Sequence, residues 1–156
     1  MKRAVRGELT RLFSTRLPMW ALIAAVASGA GLTGLLGLVG PENASPPMPA
    51  LDTSEGVGIA IGLAGLLLFV PALFGTVAIT SEYRHQTIGS TFLAVPRRGR
   101  VLGAKLAVYS VFGLAYGLLM SLSSAIALWS VATMRGITLG ASAGDLVTLL
   151  ARLAVA

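Results

Sequence analysis

The chain has 156 residues, of which 55% are hydrophobic and 12% charged, with a mean hydropathy of +0.83 and a net charge of +6. A soluble domain of this size carries charges on about a quarter of its residues, so much of this surface is predicted not to face water. Cysteine is absent, which excludes disulfides, thiol catalysis and cysteine-based metal sites. The basic residues form short clusters between long uncharged blocks rather than a continuous stripe, which argues against a nucleic-acid partner.

The N-terminal segment, residues 3–17, is predicted to be an amphipathic helix lying in a membrane interface. Four apolar residues fall at helical spacing on one stripe, with the basic residues largely off it: Val5, Leu9, Leu12 and Phe13. Such a helix places its basic residues near anionic lipid. A basic tail without fixed structure is the alternative.

Three long uncharged blocks follow. They contain 25 residues between Arg16 and Glu42, 26 between Glu55 and Glu82, and 29 between Lys105 and Arg135. A helix needs about 20 apolar residues to cross a hydrocarbon core. The blocks therefore predict spans at about 19–40, 57–80 and 104–134. None has the polar face of a buried helix in a soluble protein, and a cleaved signal peptide does not fit the length of the first block or the two spans after it.

The last segment, residues 145–156, is apolar but broken by Arg152 and too short to cross a bilayer. We expect it to be the first part of a fourth span in a longer chain, with a short interfacial helix as the alternative. The predicted fold class is therefore all-α: a polytopic transmembrane helix bundle, residues 1–156 forming a single transmembrane domain with an interfacial helix at its N-terminus.

Charge asymmetry predicts the orientation. The N-terminal segment and the second loop are basic, whereas the first loop carries three acids and no basic residue: Glu42, Asp52 and Glu55. By the positive-inside rule the N-terminus and the second loop face the cytoplasm. A cation site in the acidic loop is the weaker alternative to a solvated connector, because no histidine or second acidic cluster completes it.

The interiors of the three blocks contain no acidic residue, no histidine, no lysine and no arginine. This argues against ion-coupled transport and intramembrane catalysis, both of which need such groups in the membrane. We expect no enzyme activity, no metal and no cofactor bound by this chain. Small residues recur every three or four positions, as at Gly31, Gly34 and Gly37, and predict close helix packing. Pro71 is expected to kink the second span.

The second loop, residues 82–105, carries an apolar ridge. Ile88, Phe92 and Val95 share one face of a short predicted helix that Pro96 ends. An exposed apolar ridge on a cytoplasmic loop is a candidate protein contact.

This loop resembles the first cytoplasmic loop of ABC-2 type transporter permeases. The resemblance rests on Glu82-x-Arg84-x-x-Thr87, then Leu93-x-Val95-Pro96-Arg97-Arg98, then Lys105, placed after the second predicted span as in that family. The basic opening Arg6-Gly7-Glu8-Leu9-Thr10-Arg11-Leu12 also looks like small bacterial members. Gln86 stands where many members have glycine, and the family typically has six spans where three complete ones are predicted here.

The resemblance implies the transmembrane subunit of a bacterial ATP-driven exporter in the plasma membrane. Residues 3–17 would be the connecting or elbow helix. Residues 82–95 would be the coupling helix that docks on a separate ATP-binding subunit, with Ile88 and Phe92 in apolar contact and Glu82 or Arg84 giving polar register. ATP and Mg²⁺ would bind that partner, since this chain has no phosphate-binding Gly-x-x-x-x-Gly-Lys loop. A second permease chain, identical or different, would complete the transporter. The alternative is a membrane anchor or assembly factor that recruits a cytoplasmic protein through the same loop.

Overall fold

The computed structural model describes residues 2–84 and 98–155. Every regular element in these ranges is helical, which confirms the all-α class for the described chain. The six α-helices are α1 (Lys2–Phe13), α2 (Leu17–Val39), α3 (Ser54–Gly65), α4 (Phe69–Arg84), α5 (Arg98–Arg135) and α6 (Ala143–Val155). Two short 3₁₀ turns lie at Pro41–Asn43 and Leu66–Leu68.

Two of the described helices are long and apolar enough to cross a membrane: Leu17–Val39, with 23 residues, and Val101–Arg135, with 35. They correspond to the first and third predicted spans and point to membrane association. Helix α3 is apolar but has only 12 residues. That the helices form a multi-pass bundle stays a prediction.

The predicted second span, 57–80, is divided in the structure. Helix α3 ends at Gly65, a 3₁₀ turn covers Leu66–Leu68, and α4 begins at Phe69. Proline has no backbone N–H to donate to the carbonyl four residues earlier. The interruption lies just before Pro71, where the sequence predicted a kink.

The chain forms two compact units. The first contains residues 1–21 and 69–114, and the second contains residues 22–68 and 115–156. Helices α2 and α5 each contribute one part to each unit. The single transmembrane domain inferred from the sequence stays a prediction.

The second unit is held together by close packing of α2 on α5. Ser124 Oγ donates a hydrogen bond of 3.1 Å to the carbonyl oxygen of Gly29. A Cβ atom at Gly29 would overlap the Met120 carbonyl and the Ser123 hydroxyl. Glycine at this position therefore sets how near the two helices approach, in the manner of small-residue contacts between membrane helices.

The buried stripe of α2 only partly matches the glycines noted in the sequence. Four residues spaced four apart are buried in this unit: Ala25, Gly29, Thr33 and Gly37. Gly34 also lies near α5, with Ala127 Cβ 3.7 Å from the position of an added Cβ. Gly31 has no described atom within 4 Å of that position. The predicted packing face is thus rotated toward Gly29, a residue that the sequence pattern did not single out.

Helix α6 is a capped, amphipathic helix of 13 residues that packs on α3. Ser142 Oγ accepts a hydrogen bond from the Asp145 backbone N–H at 3.2 Å, and the Asp145 carboxylate accepts one from the Ser142 backbone N–H at 3.3 Å, which is the reciprocal arrangement of a capping box. Leu153 is buried and lies beside Gly65. The segment predicted as a partial fourth span, 145–156, corresponds to this helix.

Candidate functional site

Most of the predicted coupling loop lies outside the described residues. This applies to Thr87, Ile88, Phe92, Val95, Pro96 and Arg97. The structure gives the two ends of the loop: α4 ends at Arg84, whose side chain is exposed, and α5 begins at Arg98. Glu82 lies in the last turn of α4. The role assigned to these residues stays a prediction.

Helix α1 forms where the sequence predicted it, although it ends at Phe13 rather than near residue 17. Its apolar stripe is divided between two environments. Leu12 is buried and Val5 half-buried, whereas Leu9 is 40% and Phe13 70% exposed. The buried side of α1 is therefore displaced from the centre of the predicted stripe toward Glu8, which is itself buried.

Glu8 pairs with Lys105 inside the first unit. The Lys105 Nζ atom lies 2.8 Å from Glu8 Oε1, and the two side chains are 8% and 10% exposed. The other carboxylate oxygen, Glu8 Oε2, is buried without a hydrogen-bond partner in the described structure. This charge-assisted hydrogen bond joins α1 to the N-terminal part of α5.

Lys105 lies on the buried face of α5 rather than on a surface. Val101, Ala104 and Val108 are also buried there, at i−4, i−1 and i+3. The sequence pointed to Glu8 and Lys105 only as parts of the two stretches that resemble the permease family, and did not pair them. The signal that it missed is positional: Glu8 lies three residues after Val5 and four before Leu12, on the inward side of the helix.

A second ion pair lies at the other end of α5. Arg135 donates from Nη1 to the Gly37 carbonyl oxygen at 2.9 Å and from Nη2 to Glu42 Oε1 at 2.7 Å. The hydrogen bond from the Arg135 guanidinium lowers the pKa of the Glu42 carboxyl, which remains exposed to water. This pair fastens the end of α5 to the end of α2 and its following turn.

The end of α5 is shaped by Gly136, which has a φ of +65°. Its N–H donates to the Thr133 carbonyl at 3.3 Å, and the Ile137 N–H donates to the Ala132 carbonyl at 2.9 Å. These two bonds form the Schellman motif that ends many helices at a glycine. The helix therefore ends at Arg135, and the Arg135 guanidinium contacts the end of α2.

No candidate metal centre is found in the described part of the chain. No group of three or more metal-ligating side chains occurs in the ranges described, the acidic loop included. One groove of about 340 Å³ is lined only by leucine and valine, at Leu32, Leu35, Leu36, Val39, Leu63 and Leu66. Such a lining offers no group for acid–base chemistry.

Comparisons with protein-family models, with curated proteins and with solved structures find no match to this chain. The resemblance to ABC-2 type permeases therefore stays a prediction from the sequence, mainly from residues 82–105.

Proposed function

We propose that this chain is a transmembrane permease subunit of an ATP-driven exporter of the ABC-2 type. In this role it couples ATP hydrolysis by a separate ATPase subunit to movement of a substrate across the bacterial plasma membrane. The observation that carries the proposal is the position of α1. The Glu8–Lys105 pair holds this basic helix against the first turns of α5, directly after the loop that resembles the coupling segment.

The surfaces of α2 and α5 support a membrane location. In the most apolar stretch of each helix, 28% and 39% of the residues are buried, so most of the residues there are at least partly exposed. Large apolar side chains dominate that surface, among them Leu35 at 64%, Val111 at 68% and Trp129 at 71% exposure. Soluble monomers rarely expose apolar patches of more than a few hundred Å². Lipid is the solvent that these surfaces fit.

Three serine side chains within α5 are compatible with hydrocarbon. Ser121, Ser123 and Ser130 each donate to a backbone carbonyl of their own helix, at distances of 2.7–3.0 Å. A hydroxyl in lipid needs such a partner because no water is present to provide one. The serines therefore do not oppose insertion of this helix.

The Glu8–Lys105 pair supports the proposed orientation. Two segments can share an ion pair of 2.8 Å only if they lie on the same side of the membrane. The pair therefore supports a topology in which the basic N-terminal helix and the basic beginning of α5 share one side, which the positive-inside rule assigns to the cytoplasm. Arg135 and Glu42 then belong to the outer side.

In the proposed mechanism the chain carries out no catalytic step. The loop between α4 and α5 docks on the ATPase through the apolar residues Ile88 and Phe92, while ATP and Mg²⁺ bind the ATPase. Closure of the ATPase then displaces the loop, and the helices on either side of it move. A second permease chain, identical or different, forms the other wall of the substrate path.

An anchor or assembly factor is the second candidate. It would use the same loop to recruit a cytoplasmic protein, without a path through the membrane. The apolar ridge of the loop serves either role, so the identity of the docked protein separates the two candidates.

The test is photocrosslinking from native membranes with a photoreactive residue at Phe92. We expect capture of an ATP-binding subunit and loss of this product when Ile88→Asp is added. The matched control carries the same photoreactive residue at Trp129, which is 71% exposed near the other end of α5 and should capture no ATPase. Capture of an unrelated cytoplasmic protein from Phe92 would favour the anchor, and absence of any specific product would contradict both candidates.

A further inference from the structure

We propose that the Glu8–Lys105 pair is a joint that makes α1 move together with the cytoplasmic end of α5. In this view α1 is positioned by the protein as well as by lipid. The use of the joint, which is to carry a displacement of the beginning of α5 to the membrane surface, rests on the proposed function. The joint itself does not.

The position of Lys105 suits it to this role. It lies seven residues after Arg98, where α5 begins, which is a rise of about 10 Å along one unbroken helix. A displacement at the beginning of α5 therefore reaches Lys105 without an intervening hinge. Because Glu8 lies in the middle of α1, which spans Lys2–Phe13, a force applied there moves the helix as a whole.

Because the pair is buried, we infer that it fixes the position of α1 rather than adding to the stability of the protein. The free-energy cost of removing two charges from water offsets much of their attraction. Well-packed apolar residues at the same positions often give equal stability. Here one carboxylate oxygen, Glu8 Oε2, also lacks a hydrogen bond in the described structure. What an ion pair adds over an apolar contact is a fixed register, because a charge that slides away from its partner stays buried and uncompensated.

The face of α1 away from Glu8 is the one through which movement of the helix would act on the lipid. Leu9 and Phe13 are exposed there, and so is Arg6. Two apolar side chains beside a cation match the boundary between headgroups and acyl chains. A helix held by its inner face at Glu8 and immersed in lipid by its outer face transfers a shift of α5 to that boundary.

A direct test of the contact uses the unaltered chain in native membranes. A membrane-permeant carbodiimide activates a carboxylate, and a neighbouring lysine amine then attacks it to form an isopeptide bond with net loss of one water. The sequence has only two lysines, Lys2 and Lys105. We expect a Glu8–Lys105 crosslinked peptide by mass spectrometry, absent in Glu8→Gln and Lys105→Arg. Carbodiimide modification of Glu8 without any crosslink to Lys105 would overturn the joint.

A second test measures the position of α1. The chain has no cysteine, so Phe13→Cys supplies a single reporter whose reaction rate with a water-soluble maleimide is measured in inverted vesicles. We expect a several-fold faster reaction when Glu8→Gln or Lys105→Met releases α1, and an unchanged rate for Lys105→Arg, which keeps the cation. Glu42→Gln, which removes the exposed pair at the other end of α5, is the matched control and should leave the rate unchanged.

Equal rates for Lys105→Met, Glu8→Gln and Lys105→Arg among chains recovered from the membrane would contradict the joint. None of these measurements requires an ATPase. A chain that gives the crosslink but captures no ATP-binding subunit from Phe92 would therefore refute the proposed function and leave the joint intact.

Discussion

The carboxylate of Glu8 and the ammonium group of Lys105 meet at 2.8 Å although the two residues are 97 positions apart in the chain. Both side chains are about nine-tenths buried. This contact joins the N-terminal helix to the helix that follows the loop, and it brings together two basic regions of the sequence.

The burial of this pair leads to a prediction for stability. Lys105→Met leaves the Glu8 carboxylate buried without its cation, which we expect to lower the free energy of unfolding by about 3–5 kcal/mol. Adding Glu8→Leu should restore most of the loss, because an apolar pair replaces the ionic one. Thermal unfolding of the purified chain in detergent measures both effects. A double variant as unstable as Lys105→Met would contradict this prediction.

Close packing at Gly29 gives a second prediction. Gly29→Leu must displace the Met120 carbonyl and the Ser123 hydroxyl, so we expect the free energy of unfolding to fall by about 1–3 kcal/mol or more. Gly31→Leu is the matched control on the same helix, since no described atom lies within 4 Å of an added Cβ there. Unfolding in detergent should separate the two variants. Equal stability would show that α2 does not pack on α5 through Gly29.

The Glu42–Arg135 pair, at the C-terminal end of α5, makes the stability of the protein depend on pH. Because the guanidinium of Arg135 lowers the pKa of Glu42 below its ordinary value of 4.5, the stabilisation is present above that value and is lost as the pH falls through the lowered pKa. Wild type should therefore exceed Glu42→Gln in stability at neutral pH, by a small margin for an exposed pair. The difference should close in acid. A difference that stays constant from neutral pH down to strongly acidic pH would be incompatible with this pairing.

Two isosteric cysteine variants test the predicted orientation. Ser14 follows α1 and Ser45 lies in the loop after α2, and both are exposed. In the cysteine-free chain, Ser14→Cys should react with an impermeant maleimide only in inverted vesicles and Ser45→Cys only in right-side-out vesicles. Labelling of both positions from the same side would show that α2 does not cross the membrane.

The sequence predicted the helices α2 and α5 because an uninterrupted apolar block is a local signal that needs no knowledge of tertiary contacts. The position of Pro71 likewise indicated where the second block is interrupted, although not that a 3₁₀ turn at Leu66–Leu68 would divide it. Local pattern also located α1, whose end at Phe13 it missed.

The hydrophobic pattern of the sequence did not predict the contacts between helices. Gly31 and Gly29 are equally small, and only the rotation of α2 against α5 decides that Gly29 carries the close approach. Glu8 and Lys105 were both noted, but nothing in a linear sequence shows that residues 97 positions apart share one buried contact. The apolar ridge of the loop, at Ile88 and Phe92, lies outside the described residues and stays a prediction.

We propose that this chain couples ATP hydrolysis by a partner ATPase to substrate movement across the membrane, through the loop between α4 and α5. The most direct measurement is vanadate-sensitive ATP hydrolysis by material purified from native membranes through a tag on this chain, compared between wild type and Phe92→Asp. We expect wild type to hydrolyse ATP because its partner copurifies, and Phe92→Asp to insert normally but fall to background. Equal hydrolysis by the two preparations, or none by wild type, would contradict the claim.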